Sequence, residues 1–479
     1  MSEYAISHWP DTAKINEELD ALVNQPMWQI ARDKMEAYLK RYDEKRAKSK
    51  ALVEEAKNYI PGAIQHNTAF NYPFPLVINK SGGAYLWDAD ENQYIDYTAS
   101  GGAVLLGHSY PKINEKVIEL LQECGPATAM FHEYELELAK LVNKHMPWVE
   151  MFRMLGSGTE AVMGALRAAR SYTGKAKVIK FGGDYHGWSD QMVYGLRVPG
   201  TGTMEAVGIP NEVFTQTQEV FPNDIEKLRE QLVENEKHGG TAAIILEPLG
   251  CESATRPVLE DYNRQVRELC DEFGTLLIFD EVVTGFRVGL PGAQGYFNVR
   301  PDLTILGKCL TGGYPAAGGV GGRREIVSLF AAGFDGKPKA YVGGTLAANP
   351  MSCVAGYYAI KEMEETDVIQ RAGRAGDRLC EGMQELIDKY DLPFVTYNFA
   401  SICHLHTSAV MQSDISNEKQ LLQVDARKKV MQELSAALTV EGITSIAGYR
   451  FYANAAHTDE IIDKTLEGID RVLATMEPA

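Results

Sequence analysis

Leu303 Thr304 Ile305 Leu306 runs into Gly307 Lys308 and then Cys309 Leu310 Thr311 Gly312 Gly313 Tyr314 Pro315. The reading of Lys308 decides the rest of the chain. A short apolar run closed by glycine and lysine reads as a buried strand ending at a turn. A lysine held there is desolvated, which lowers its pKa toward that of a usable amine nucleophile. The alternative is a lysine whose stem lies along the strand end while its head reaches water. Buried lysines are rare, so the stretch taken alone leans to the second reading.

Three stretches upstream repeat the arrangement, each ending in a different kind of polar group. Thr275 Leu276 Leu277 Ile278 Phe279 runs into Asp280 Glu281; Ala242 Ala243 Ile244 Ile245 Leu246 runs into Glu247 Pro248; Lys177 Val178 Ile179 Lys180 Phe181 leads through Gly182 Gly183 Asp184 to Tyr185 His186 Gly187. Continuous apolar runs separated by helix-length intervals predict parallel strands buried on both faces, the α/β class. Ligands of such open sheets lie beyond the carboxyl ends of the strands. Lysine, aspartate, glutamate and aromatic are therefore expected at one edge.

Composition excludes several classes. A chain of 479 residues, 45% hydrophobic, can bury a large core in two or three domains. Its net charge of -18 argues against nucleic acid or an anionic membrane as partner. No apolar run is long enough to span a bilayer, and Met1 Ser2 Glu3 Tyr4 lacks the order of a signal peptide, so a cytoplasmic protein is expected. Seven cysteines at 124, 251, 270, 309, 353, 380 and 403 form no CxxC pair and predict free thiols. His404 and His406 share a strand face without a third ligand at metal spacing, and no metal site is expected.

Taken in order, residues 1–60 read as a charged helical arm packed on something. Residues 61–115 follow, with a strand pair at Ala84 to Trp87 and Tyr94 to Tyr97. A large domain is expected over 116–345 and a smaller α+β domain over 346–479. Within the large domain, Gly156 Ser157 Gly158 Thr159 Glu160 opens an alanine-rich helix. Ser157 and Glu160 have capping-box spacing, and the same turn offers free N–H groups, two hydroxyls and the positive end of a helix dipole to a phosphate. Tyr194 to Thr203 suits a lid or a plain surface loop. Tyr341 to Pro350 again joins glycine, hydroxyl and a helix start, a second possible phosphate contact.

A phosphate cradle, an aromatic plate, a buried aspartate and a desolvated lysine at one sheet edge are what pyridoxal phosphate (PLP) requires: anchor, ring stack, partner for the pyridinium nitrogen, and amine. Asp280 is the most telling. A carboxylate after four apolar residues is costly unless a cation meets it.

On these stretches the chain resembles the class III aminotransferases of PLP fold type I, most closely the glutamate-1-semialdehyde aminomutase branch. The residues carrying the resemblance are Ala84 to Tyr97, Gly107 to Pro111, Ser157 to Ala161, Tyr185 His186 Gly187, Glu247 Pro248, Asp280 Glu281 Val282, Thr284 to Arg287, Pro301 to Thr304, Gly307 Lys308, Gly344 Thr345 and Asn349 Pro350. It implies a mostly parallel seven-stranded sheet in the large domain and a small domain built from both ends of the chain. The implied activity is a ping-pong transfer of an amino group between an amine donor and a keto acid or aldehyde. An intramolecular aminomutase, a racemase or a lyase on the same fold are the alternatives. Lys308 would hold the cofactor covalently and move the substrate proton, Asp280 would meet the ring nitrogen, Val282 would lie beneath the ring and Tyr185 above it. Ser157, Gly158 and Thr159 would bind the phosphate, His186 and Glu247 would lie at the cofactor, and Gly344 and Thr345 would come from the neighbouring subunit of a homodimer.

Departures from the branch fall on the substrate side. The segment Pro61 to Phe70 carries no arginine, where the branch has one for its substrate, and Gly156 and Glu252 each stand where it has asparagine. Relatives resembling ornithine and 4-aminobutyrate aminotransferases place a glutamate at the position of Glu252 and pair it with a C-terminal arginine. Arg450 stands near that place and predicts a carboxylate switch, against the alternative of two ordinary surface charges. His66 is a further substrate-side candidate.

Overall fold

The computed structural model describes residues 3–146, 148–193, 195, 206–331, 333, 339–413 and 417–479. They divide into two compact units, the first from Met1–Tyr4 and Pro111–Asp367, the second from Ala5–Tyr110 and Val368–Ala479.

The first unit is built on seven strands: β1 (Met151–Leu155), β2 (Lys177–Phe181), β3 (Thr217–Val220), β4 (Thr241–Leu246), β5 (Leu276–Asp280), β6 (Leu303–Gly307) and β7 (Gly318–Gly322), in the sheet order β1-β7-β6-β5-β4-β2-β3. Neighbours run parallel except at β7, which is antiparallel to both β6 and β1. Every residue of β4, β5 and β6 is buried. That is why these strands read as unbroken apolar runs, as a sheet covered on both faces demands. α1 (Gly158–Thr173) follows β1, and its alanine-rich face is buried from Ala161 to Ala169.

β7 has the sequence Gly318 Gly319 Val320 Gly321 Gly322, which carries almost no strand propensity. Its glycines are there for room. A Cβ on Gly318 would lie 2.1 Å from the Ser157 carbonyl oxygen, and one on Gly321 would lie 2.4 Å from Val149. Gly318→Ala should therefore destabilise the fold by about 1–3 kcal/mol through overpacking. A denaturant midpoint unchanged from that of the wild type would refute this account of β7.

The second unit carries three sheets: a three-stranded one (Val395–Phe399, Ile402–His406, Arg450–Tyr452), a four-stranded one (Ile443–Thr444, Gln93–Asp96, Tyr85–Asp88, Ile78–Gly82) and a two-stranded ribbon (Trp28–Ile30 with Met476–Pro478). The expected strand pair near residues 84–97 forms here as an antiparallel hairpin. The N-terminal helices Thr12–Asn24, Arg32–Glu44 and Ala47–Ala56 find their surface in this unit. Arg46, 1% exposed, donates to the Thr439 carbonyl and the Tyr94 hydroxyl, and Arg32 makes a two-pronged pair with Glu433; Thr439 and Glu433 lie on helix Glu418–Val440 and Tyr94 in the hairpin. Among the described residues no helix is long and apolar enough to cross a membrane, and all seven cysteines are free thiols.

Candidate active site

Four turns at the carboxyl ends of the parallel strands, with the start of α1, bring most of the singled-out residues to one edge of the first unit. Lys308 directly follows β6, Asp280 ends β5, Glu247 follows β4, and Tyr185 and His186 lie in the turn after β2. Two glycines show how tightly these turns meet. Val282 is wedged between Gly158 and Gly307: a Cβ on either glycine would lie 3.0 Å from a Val282 methyl. Gly187, at φ +84°, lets the β2 turn close on Thr159, whose hydroxyl would lie 2.3 Å from a Cβ there.

Ser157 caps α1 by accepting the Glu160 N–H at 3.2 Å. Glu160 turns back to the Gly156 N–H at 2.9 Å rather than to that of Ser157, a variant of the expected capping box. The remaining N–H groups of the first turn and the Ser157 hydroxyl suit an anion. Lys308 is half-buried and adopts a left-handed backbone at φ +43°, a strained conformation for a residue with a Cβ. Among the described residues no hydrogen bond or ion pair is made by its ammonium.

Behind this edge lies a buried ionisable cluster. Asp280 Oδ2 is 2.7 Å from His186 Nδ1, and Oδ1 accepts the Val282 N–H at 3.0 Å. His186 Nε2 faces Asp184 Oδ2 at 3.4 Å. Burial works against a charged imidazole, but the two flanking carboxylates outweigh it and raise the His186 pKa to about 9. Glu247 accepts the N–H groups of Tyr185, Glu252 and Ser253 at 2.8–2.9 Å. Burial, then the charges of Asp184 and Asp280, push its carboxyl up to about 8.

Both shifts have one sign for stability. Each group is held in its protonated form by the fold, so its contribution is complete below the unfolded pKa and is lost as pH rises through the folded value. The window is about 4.5 to 8 for Glu247 and about 6.5 to 9 for His186. The melting temperature of the apoprotein should fall between pH 6.5 and 9. A flat or rising calorimetric profile there would contradict the cluster's electrostatics.

Other expected residues lie elsewhere or play visible local parts. Glu252 sits in the turn after Glu247, in a left-handed run with Ser253 and Ala254. Arg450, 4% exposed, belongs to the second unit, where it pairs in register with His404; it is no surface charge. His66, also in the second unit, accepts the Thr68 N–H and caps a short turn. His404 and His406 share a strand face as expected, with rings 5.5 Å apart. Gly344 lies near its own chain's Glu160, 3.0 Å from a Cβ placed on it, while Thr345 is exposed. Most of the stretch read as a lid, Tyr194 to Thr203, lies outside the described residues. Asp184 does not stand out in the sequence, because a carboxylate in a glycine-rich turn has the look of ordinary turn chemistry. In sequence Glu281 stands out only as the neighbour of Asp280. It is fully buried, binding Ala293 N–H, Gln294 N–H and the Thr284 hydroxyl.

The model of the family Aminotransferase class-III matches residues 67–396. The chain belongs to the class III aminotransferases. It is 37% identical over 445 residues to a glutamate-1-semialdehyde 2,1-aminomutase of Acetivibrio thermocellus, covering 90% of this chain and 99% of that one. Among solved structures it is similar to an omega-transaminase from Sphaerobacter thermophilus (TM-score 0.79, 30% identity, 89% of this chain and 97% of that one). It is also similar to a transaminase with PLP bound (TM-score 0.79, 26% identity, 90% and 97%). These matches agree with the fold class and the resemblance drawn from sequence.

Proposed function

We propose that this class III aminotransferase uses pyridoxal phosphate to move an amino group between an amine or amino acid and a keto acid or aldehyde. The observation that carries the reading is the placement, at one sheet edge, of a Lys308 amine that makes no hydrogen bond or ion pair among the described residues and a buried Asp280 locked to His186. The residues present fit the group. Ser157, Gly158, Thr159 and the α1 terminus would hold the phosphate, Asp280 the ring nitrogen, and Val282 and the 45% exposed Tyr185 the two ring faces. Bound there, PLP supplies an electron sink for the carbon that loses its proton.

The chain's own residues then do three things. The Lys308 amine stands at the end of β6 to take and return the substrate proton, with the strained backbone at its base fixing where it can reach. The His186 hydrogen bond orients Asp280. Glu247 ties the β2 turn that carries Tyr185 to the turn that carries Glu252, through three backbone N–H groups.

Release of the amino product as a separate molecule, rather than return of the amine to the same carbon skeleton, is favoured by the absence of an arginine from residues 61–70. The aminomutase reading is supported by the 37% identity to such an enzyme. A screen of amine donors and acceptors followed at the cofactor's absorbance separates the two. Transamination accumulates the aminated cofactor and free ketone with donor alone, whereas an aminomutase converts one substrate to its isomer without a second partner. Isomer formation alone would sink the main reading.

A cytoplasmic homodimer with shared sites goes with this reading, supported by seven free thiols and by the exposed segment from Tyr341, itself 78% exposed, through Leu346. Thr345 would reach the partner subunit's phosphate. Thr345→Ala should weaken PLP binding by about 1.5–3 kcal/mol, the worth of a hydrogen bond to a charged group. Sedimentation of a fully active monomer, or unchanged PLP affinity in the variant, would overturn the shared site.

A further inference from the structure

Asp184 has no part in the chemistry described so far, yet it closes the buried cluster behind Asp280. It is 2% exposed and lies in the turn after β2. Its Oδ2 accepts the Glu247 N–H at 3.1 Å and faces His186 Nε2 at 3.4 Å. The opposite ring nitrogen of His186 is 2.7 Å from Asp280 Oδ2. One imidazole therefore spans two carboxylates delivered by two different strands. A neutral imidazole has a single N–H and leaves a lone pair facing one carboxylate. At 1% exposure His186 has no bulk water to relieve that mismatch.

The turn itself is pinned. The Lys180 ammonium, fully buried on β2, donates to the carbonyls of Asp184 at 3.0 Å and Met192 at 3.3 Å. Asp184 is thus held in place independently of His186.

We propose that Asp184 is a positioning residue that keeps a proton on both nitrogens of His186, so that Nδ1–H is always donated to Asp280 and Asp280 is presented to the cofactor's ring nitrogen in one orientation. This rests on the reading of the edge as a PLP site. Among the described residues, the charged and titratable groups around the imidazole are Asp280 from β5, Asp184 from its own turn and Glu247 from the β4 exit. Beyond Asp184 lie Lys180 and Cys251, whose thiol is pushed well up by burial and stays neutral. Glu247, pushed up to about 8, is mostly protonated at neutral pH. Among the described residues, His186 is then the cation that lies between the two carboxylates.

The test uses holoenzyme carrying isotope-labelled histidine, with His186 assigned by loss of its signal in His186→Gln. In the wild type both ring nitrogens should be protonated at pH 7, with a midpoint above that of a free histidine. In Asp184→Asn the midpoint should drop by at least about one pH unit, and the PLP dissociation constant should rise about tenfold or more. A role confined to packing would leave the imidazole titration unmoved. A singly protonated wild-type His186 at pH 7, or an unchanged midpoint in Asp184→Asn, overturns the proposal. If the variant does not fold, the wild-type titration decides alone. A wild-type protein that takes up no PLP would instead overturn the reading of the site, whatever its imidazole does.

Discussion

Lys308→Ala should abolish turnover, with a loss of about four orders of magnitude or more, because the same amine is asked to anchor the cofactor and to carry the proton. General acid–base catalysis alone contributes about 10²–10⁴-fold, and loss of the nucleophile adds to it. The structure separates this loss from damage to the fold. Lys308 sits at φ +43°, a left-handed conformation that glycine adopts freely. Lys308→Gly therefore removes the amine and the strain together. It should be as inactive as the alanine variant and, compared as apoproteins, melt at the wild-type temperature or above it. Borohydride reduction of the wild-type holoenzyme should leave the cofactor on the peptide containing Gly307 Lys308 Cys309. Label on any other lysine, or an active Lys308→Gly, would move the chemistry elsewhere.

How much of this was legible in sequence depends on what each element owes to its own residues. The strands β4, β5 and β6 could be read because burial on both faces leaves a continuous apolar run. Lys308, Asp280 and Glu247 could be read because each breaks such a run at its end. β7 could not be read. Its five residues contain four glycines, chosen by the close approach of Ser157 and Val149 and not by strand preference. β3, with Gln218 and Glu219 half-buried at the sheet edge, has too little apolar periodicity to stand out. Asp184 is illegible in sequence for a different reason: its significance lies in a partner, His186 Nε2, that only the folded turn presents. In sequence Arg450 reads as a switch residue or as a surface charge, the latter because arginines usually are, yet pairing within the three-stranded sheet buries it. Polar residues at the ends of strands announce themselves, whereas polar residues that matter through one another do so only in three dimensions.

The second large effect belongs to Asp280. Asp280→Asn keeps the shape of the side chain and removes the charge that faces His186 at 2.7 Å. Replacing one member of a buried charged pair costs about 3–5 kcal/mol, because the other charge is left without its partner. If Asp280 also holds the protonated ring nitrogen, the same substitution removes that partner, so PLP affinity should fall by roughly two to almost four powers of ten, with turnover falling at least as far. The cluster supplies a check independent of activity. The Asp280 charge is one of the causes that push the Glu247 carboxyl up to about 8 and hold the His186 imidazole at about 9. Without it both values should fall, and the decline in apoprotein stability expected between pH 6.5 and 9 should become smaller and end at lower pH. Asp280→Asn protein that binds PLP within tenfold of wild type, with its stability profile unmoved, would show that Asp280 serves neither the cofactor nor the cluster. A moved stability profile with unchanged PLP affinity would leave His186 as Asp280's only partner and place the ring nitrogen against some other group.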